Sequence, residues 1–95
     1  MKITDLDTPA VVVDLDRAEA NIERLQRYLD EHDIANRPHI KTHKVPEIAH
    51  MQVGAGAAGI ACQKLGEAER MVAAGLRDVL IPYNIVGPAK LQRLA

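Results

Sequence analysis

"RPHIKTHK", residues 37–44, reads as a β-strand with an unusual load. Successive side chains of a strand point to opposite faces, so Arg37, His39 and Lys41 share one face while Pro38 and Ile40 share the other. Apolar, strand-like runs stand on either side in the sequence, "PAVVVD" (residues 9–14) before it and "GIAC" (residues 59–62) after it. A strand set between such neighbours is expected inside a parallel sheet, where Val and Ile are the usual occupants. Two cations and an imidazole along one face need a reason other than packing.

Outward from this strand the chain repeats one pattern. "PAVVVD" is a continuous β-branched run closed by a polar residue, as for a strand buried on both faces. "DRAEANIERLQRYLDEH" (residues 16–32) is helical in period: Asp16 stands as the cap, Glu19 completes a capping box, and Ala18, Ile22, Leu25 and Leu29 recur at helical spacing. "PEIAHMQVGAG" (residues 46–56) starts a second helix at Pro46 and closes it with Gly54 and Gly56. "GIAC" is a third strand. "GEAERMVAAG" (residues 66–75) is a helix that turns Leu65, Ala68 and Val72 inward and stops at Gly75. "DVLIPY" (residues 78–83) is a fourth strand, and "GPAKLQRLA" (residues 87–95) opens a fourth helix at Pro88.

Four alternating strand–helix units predict an α/β fold with parallel strands and helical crossovers. Two closures fit the periodicity equally: an open doubly wound sheet, complete in these residues, and the N-terminal half of a (β/α)8 TIM-type barrel, which as a whole takes about 250 residues. No linker, low-complexity stretch or charge block divides residues 1–95, so they are expected to form part of one domain.

Composition removes several functional classes. Twelve Lys and Arg against 13 Asp and Glu give a net charge of −1, which leaves no basic field for a phosphate backbone; no nucleic-acid partner is expected. Nothing approaches a membrane span or a secretory leader, so the expected location is cytoplasmic, with no membrane partner. A single cysteine, Cys62, excludes a disulfide framework and a cysteine-rich zinc site, and its alternation turns it away from the Lys41 face. With no Phe or Trp and two Tyr, the core must be built from small aliphatic side chains.

Both closures place their sites at the carboxyl ends of the strands. Counting by two, Gly59, Ala61 and Gln63 share a face of the third strand, and Val79, Ile81 and Tyr83 share one of the fourth. Lys41, Gln63 and Tyr83 then end their strands in equivalent positions, as in a site assembled from several strands. The plain reading of Lys41 is a solvated lysine at a strand end. The chemical one is an amine in a barrel mouth, stripped of water and set beside the cations of Arg37 or Lys44, both of which favour the neutral nucleophile. His39 and His43 stand four apart, but on a strand that is more than ~10 Å, which suits no shared metal ion. His39 is better read as a packing and hydrogen-bonding neighbour of Lys41. The run "VGAGAAG" (residues 53–59) follows a helix and precedes a strand, the reverse of a phosphate-binding glycine loop.

Taken together, "TPAVVVDLDRAEANIERLQ", "RPHIKTHK", "GIACQKLGEAERMVAAG" and "DVLIPYNIVGP" resemble the D-threonine aldolase and D-serine dehydratase family. That family is similar to the amino-terminal barrel of alanine racemase, the fold-type III pyridoxal-phosphate enzymes. The resemblance runs from about Thr8 to Pro88, and "RPHIKTHK" carries it most specifically. It implies the barrel closure, with the remaining strands and a carboxyl-terminal β-domain outside residues 1–95. It also implies pyridoxal 5′-phosphate as cofactor, held by Lys41 as a Schiff base, with His39, Gln63 and Tyr83 as cofactor-binding neighbours. Lys44, expected to begin the following helix, is not assigned that role.

The implied enzyme is a lyase that cleaves a small D-β-hydroxy amino acid to glycine and an aldehyde. It would work with a divalent metal whose ligands lie outside this chain, so no metal ligand is assigned here, and the resemblance allows a homodimer for the longer protein. The dehydratase variant, converting D-serine to pyruvate and ammonia, is the alternative within the family. A non-catalytic pyridoxal-phosphate-binding or α/β binding module is the alternative outside it. Residues 1–95 alone are expected to be inactive.

Overall fold

A computed structural model describes all of residues 1–95. A short 3₁₀ turn at Ile3–Asp5 precedes helices α1 (Leu15–Asp30) and α2 (Pro46–Gly54), strand β1 (Ile60–Ala61), helix α3 (Leu65–Ala73), strand β2 (Val79–Leu80) and helix α4 (Pro88–Leu94). β1 and β2 run parallel, with Ile60 opposite Val79 and Ala61 opposite Leu80. On the other edge of β1, His39 forms a parallel bridge with Ala61, so the 38–40 segment is the third member of the ladder. Its bonds are Ile40 N–H to Ala61 C=O and Ala61 N–H to Pro38 C=O, both 2.9 Å.

This is the parallel α/β order expected from the strand–helix alternation, with corrections in detail. The 9–14 run makes no ladder contact, and Val11, Val12 and Val13 are exposed. The reading of a strand buried on both faces therefore fails here: β-branched residues need a paired edge and two covered faces, and this segment has neither. Helix α1 is capped by Asp14, whose Oδ1 accepts from Arg17 N–H at 3.0 Å, rather than by Asp16. On α3 the inward residues are Leu65, Ala68 and Met71, while Val72 is exposed. The left-handed backbone at Gly75 (φ 94°) does end that helix, where a side chain would be strained.

The core lies between the ladder and its helices. Ile40, Ala49, Ile60, Cys62, Ala68, Met71 and Leu76 form one buried cluster, with Val79 and Ile81 packed against it. Fully burying a side chain the size of Ile40, Ile60 or Met71 contributes roughly 1.5–3 kcal/mol, so these three dominate a small core. The molecule spans 46 × 42 × 19 Å with a radius of gyration of 15.6 Å. A compact chain of this length would have about 12 Å. The fold is thus an open slab: the helices pack on the ladder face of Ile40, Ile60 and Cys62, and on the face of His39 and Ala61 the row ends in the exposed Leu80.

α1 is tied to the segment that follows it through a polar contact that periodicity did not reveal. Gln26 is buried, donates through Nε2 to Asp30 Oδ1 (2.8 Å) and accepts from Asn36 Nδ2 (3.0 Å). Both ends of its amide are satisfied, which is the condition for burying it.

Candidate active site

The ladder register decides which strand-end residues come together. His39, Ala61 and Leu80 lie in one row on one face, while Ile40, Ile60, Cys62, Val79 and Ile81 belong to the helix-covered core on the other. The 38–40 segment leaves the ladder at the His39 bridge, so Lys41 stands in the turn just past it and has no strand register of its own. Between the other two strands, continuing the register by two residues sets Gln63 level with Pro82 and not with Tyr83. Alternation inside one strand fixes no parity between strands; only the hydrogen-bonded register does. Tyr83 is exposed beyond the end of β2 and lines, with Gln63, Lys44, Glu67 and Arg93, a separate cleft of about 880 Å3. Neither Lys41 nor His39 is on its walls.

Three cations of "RPHIKTHK" have three different fates. Arg37 Nη1 donates to Asp78 Oδ1 at 2.7 Å and reaches the carbonyls of Ile60 (3.4 Å) and Asp78 (3.5 Å), tying together the amino-terminal end of the ladder. The guanidinium is held further toward its charged form and the Asp78 carboxyl below its ordinary range, in both cases chiefly by this hydrogen bond. Lys44 donates to Glu67. Lys41, immediately past the bridge, is exposed, and its amine makes no hydrogen bond or ion pair.

The expectation of an amine stripped of water and pressed by Arg37 or Lys44 is corrected on both counts. Each of those cations is neutralised by its own carboxylate, Arg37 at the opposite end of the ladder. The open slab, for its part, does not wall Lys41 in.

Ile40 C=O accepts from Lys44 N–H (2.8 Å), closing a turn over residues 40–44 in which Lys44 takes a left-handed φ of 56°. Lys44 thus belongs to a turn ahead of α2, whose cap is Val45, and does not begin the helix. Glu67, in the first turn of α3, is the anchor that sequence reading missed. Its Oε2 accepts from Gln63 N–H (2.8 Å) and Lys64 N–H (3.1 Å), and its other oxygen meets Lys44. The carboxyl is pulled down to about 2, first by the Lys44 hydrogen bond and then, against the opposing effect of burial, by the two backbone donors. The signal for it was present: a glutamate three residues after the helix cap, in "KLGE".

The two histidines make one local bond twice. Lys41 N–H donates to His39 Nδ1 at 3.2 Å, and Val45 N–H donates to His43 Nδ1 at 3.0 Å. A ring nitrogen that accepts carries no proton, so each neutral imidazole bears its hydrogen on Nε2. Both Nε2 atoms are buried and without a protein partner. For His43 a partner is at hand, because the amide of Gln52 lies beside the ring and its buried Oε1 is also unpaired. Burial is the main influence on His43 and lowers its pKa. Cys62 is fully buried in the core, as expected, and burial pushes its thiol up.

Comparison with known proteins gives this geometry a family. The model of the alanine racemase N-terminal domain matches residues 13–95. The chain is 53% identical over 89 residues to a D-threonine aldolase of Arthrobacter sp., covering 94% of this chain and 24% of that protein. It is 49% identical over 80 residues to the D-threo-3-hydroxyaspartate dehydratase of Delftia sp., covering 84% of this chain and 21% of that one. The crystal structure of D-threonine aldolase from Filomicrobium marinum superposes with a TM-score of 0.93 at 46% identity, over 97% of this chain and 25% of that structure. The chain therefore spans about a quarter of the length of the relatives it matches. Its parallel strand–helix units are those of the N-terminal barrel of fold-type III enzymes, and the 83 residues matched place it beyond the open-sheet alternative. The chain belongs to the alanine racemase N-terminal domain family.

Proposed function

We propose that the chain supplies the cofactor lysine and the opening strand–helix units of a pyridoxal-phosphate-dependent lyase of D-threonine aldolase type. Such an enzyme cleaves a D-β-hydroxy amino acid to glycine and an aldehyde. The observation that carries the reading is the contrast within the motif: Arg37 and Lys44 are engaged by carboxylates, while Lys41 stands free at the carboxyl end of the ladder. The relatives support the reaction class, since they are named as an aldolase and a dehydratase of such amino acids. On this reading residues 1–95 are the first part of the barrel, and the remaining strands and a β-domain lie outside them.

The residues present fit the cofactor. An unpaired primary amine stands in the turn just past the strand end, and a buried Nε2–H donor without a partner lies two residues before it in the chain. Pyridoxal phosphate, when bound, supplies an electron sink for cleavage of a bond next to the substrate's amino group. Lys41 Nζ would be the atom that holds it, and the same amine would carry a proton to or from the substrate's α-carbon. The backbone N–H of Lys41 is held by His39, which fixes where that amine begins its reach. Gln63, two residues past Ala61 on the neighbouring strand, would offer an amide to orient a polar group of the cofactor. Tyr83, further out, borders the cleft that Gln63 shares.

On this reading the divalent metal of the aldolase takes its ligands from outside these residues. A mutant D-threo-3-hydroxyaspartate dehydratase has been solved in a metal-free form, which supports a metal in the longer enzymes. No helix is long and apolar enough to cross a membrane. A cytoplasmic location is supported by the lone, free cysteine.

The test is chemical. The full gene product is incubated with pyridoxal phosphate, reduced with borohydride and mapped by mass spectrometry. A phosphopyridoxyl group on Lys41 is expected, lost in Lys41→Ala and kept in Lys44→Ala; label on another lysine overturns the assignment. With D-threonine and a divalent metal, glycine is the expected product. The 49% identity to a dehydratase favours one second reading, in which the same residues serve elimination; pyruvate from D-serine in place of glycine would select it.

A further inference from the structure

The cleft of about 880 Å3 beside Tyr83 collects charge that the chain does not neutralise. Five cations, Lys44, Lys64, Arg70, Lys90 and Arg93, line it with a single carboxylate, Glu67. The chain as a whole carries a net charge of −1, so this surplus is local. Lys44 is engaged by Glu67, and Arg93 by Glu69. Lys64, Arg70 and Lys90 are exposed and make no ion pair.

The engaged pairs hold the free cations in place. Arg93 Nε donates to Glu69 Oε1 at 2.8 Å, which fastens α4 to α3. Residues three apart share a helix face, so Lys90 stands one turn before Arg93 on α4, and Arg70 one turn after Glu67 on α3. Lys64 is the cap residue of α3. Three like charges from three positions thus border one concavity, where each is repelled by the others. Buried Leu65 and Met71 and the exposed ring of Tyr83 complete the walls. The volume lies in the range of small-molecule sites, roughly 300–1,000 Å3.

We propose that this cleft binds a small organic anion of two or more negative charges, a phosphorylated or polycarboxylic compound, with Lys64, Arg70 and Lys90 as its charge partners. Arg70 offers a planar fork for a bidentate bond to a phosphate or carboxylate, and the two ammonium groups act as point charges. A single carboxylate would leave most of the surplus unmet, and a nucleic-acid backbone would need a basic field reaching far beyond one cleft. Neither Lys41 nor His39 is on the walls, so the site stands apart from the cofactor reading.

Protection from acetylation tests it. The full gene product, loaded with pyridoxal phosphate, is treated with acetic anhydride in sodium chloride, sodium pyrophosphate or sodium citrate at matched ionic strength, and each lysine is read by mass spectrometry. Pyrophosphate or citrate should slow acetylation of Lys64 and Lys90 in a saturable way and leave Lys2 unchanged. Arg70→Gln should need about tenfold more anion for the same protection, as for the loss of one charge-assisted bond. Arg77→Gln, which removes an exposed cation outside the cleft, should need no more than wild type. If Arg70→Gln does not fold, Lys90→Gln takes its place with Lys64 as reporter.

Protection by pyrophosphate alone identifies a phosphorylated ligand, and by citrate alone a polycarboxylate; either supports the site. No protection by either anion, equal protection of Lys2, or an equal loss in Arg77→Gln overturns the proposal, since the attraction is then general surface charge. Lys64 and Lys90 shielded before any anion is added, and released when pyridoxal phosphate is removed, would give the cleft to the cofactor and overturn it as well. A missing phosphopyridoxyl label on Lys41 sinks the cofactor reading and leaves this result untouched.

Discussion

Lys44 donates to Glu67 from a left-handed backbone conformation, so the ion pair that joins the 40–44 turn to α3 is made by a residue whose own φ of 56° is unfavourable. A side chain in that region costs about 1 kcal/mol relative to glycine. The chain accepts this because the Lys44 N–H closes the turn on Ile40 and the side chain then reaches the carboxylate.

Two substitutions separate those terms. Lys44→Ala gives up the ion pair and keeps the strain; with the lysine half exposed, a loss of about 1 kcal/mol is expected. Lys44→Gly gives up the pair and relieves the strain, and should be more stable than the alanine variant by about 0.5–1 kcal/mol. Urea unfolding of both measures the order. Alanine at or above glycine would mean that the turn does not hold φ positive.

Glu67 should make the fold acid-sensitive over a defined window. Its carboxyl lies at about 2 in the folded protein against an ordinary 4.5, so the native state binds this proton less readily than the unfolded chain. The stability it contributes is whole above pH 4.5 and is lost as the pH falls toward 2. Glu67→Gln removes that dependence. The gap between wild-type and variant urea midpoints should be widest at pH 5 and close steadily through pH 4 and 3. Parallel curves across that range would exclude the Glu67 linkage.

Much of this site was legible in the chain, and the remainder was hidden for identifiable reasons. The order of strands and helices follows from periodicity and from Pro46, Gly75 and Pro88, whose backbone demands are local. The strand character of residues 38–40 was also readable, because the alternation of Pro38, His39 and Ile40 matches their place in the ladder beside Ala61. Tyr83 was misplaced because the parity of the fourth strand depends on its register with the third, set by Ile60 N–H to Asp78 C=O and Cys62 N–H to Leu80 C=O across the sequence. The 9–14 run was misread because β-branched composition records what a segment can become, not whether an edge is there to receive it. The ion pairs of Arg37 and Lys44 join residues 41 and 23 positions apart, beyond the reach of any local pattern.

His43 adds a second pH effect, at milder acidity. Burial lowers its pKa below 6.5, despite the opposing influence of Gln52, so protonation favours the unfolded chain. The stability held by the neutral ring is complete above pH 6.5 and is lost as the pH drops below it. His43→Asn retains an acceptor for Val45 N–H and cannot titrate. Between pH 7.5 and 5.5 the wild-type urea midpoint should fall while that of the variant stays level. An equal fall in both would assign the slope to other groups.

Gly59 is where the amino-terminal end of the ladder has no room. A Cβ at this position would lie 2.4 Å from Arg37 Nη1, 2.6 Å from the Asp78 carbonyl oxygen and 2.8 Å from Asp78 Cγ. The arginine can swing aside, but the carbonyl oxygen belongs to the backbone that receives the Ile60 N–H at 3.0 Å, so relief means prying the 78–80 segment from β1. Gly59→Ala should therefore destabilise by roughly 1–3 kcal/mol, the usual range for overpacking. The Arg37–Asp78 bond should be lost with it. Arg37→Ala in the same background tests the mechanism: with the guanidinium already gone, the alanine at 59 still meets Asp78, so most of its penalty should persist. If the double variant instead matches Arg37→Ala alone, the clash is with the guanidinium and the strand backbone is not strained at all.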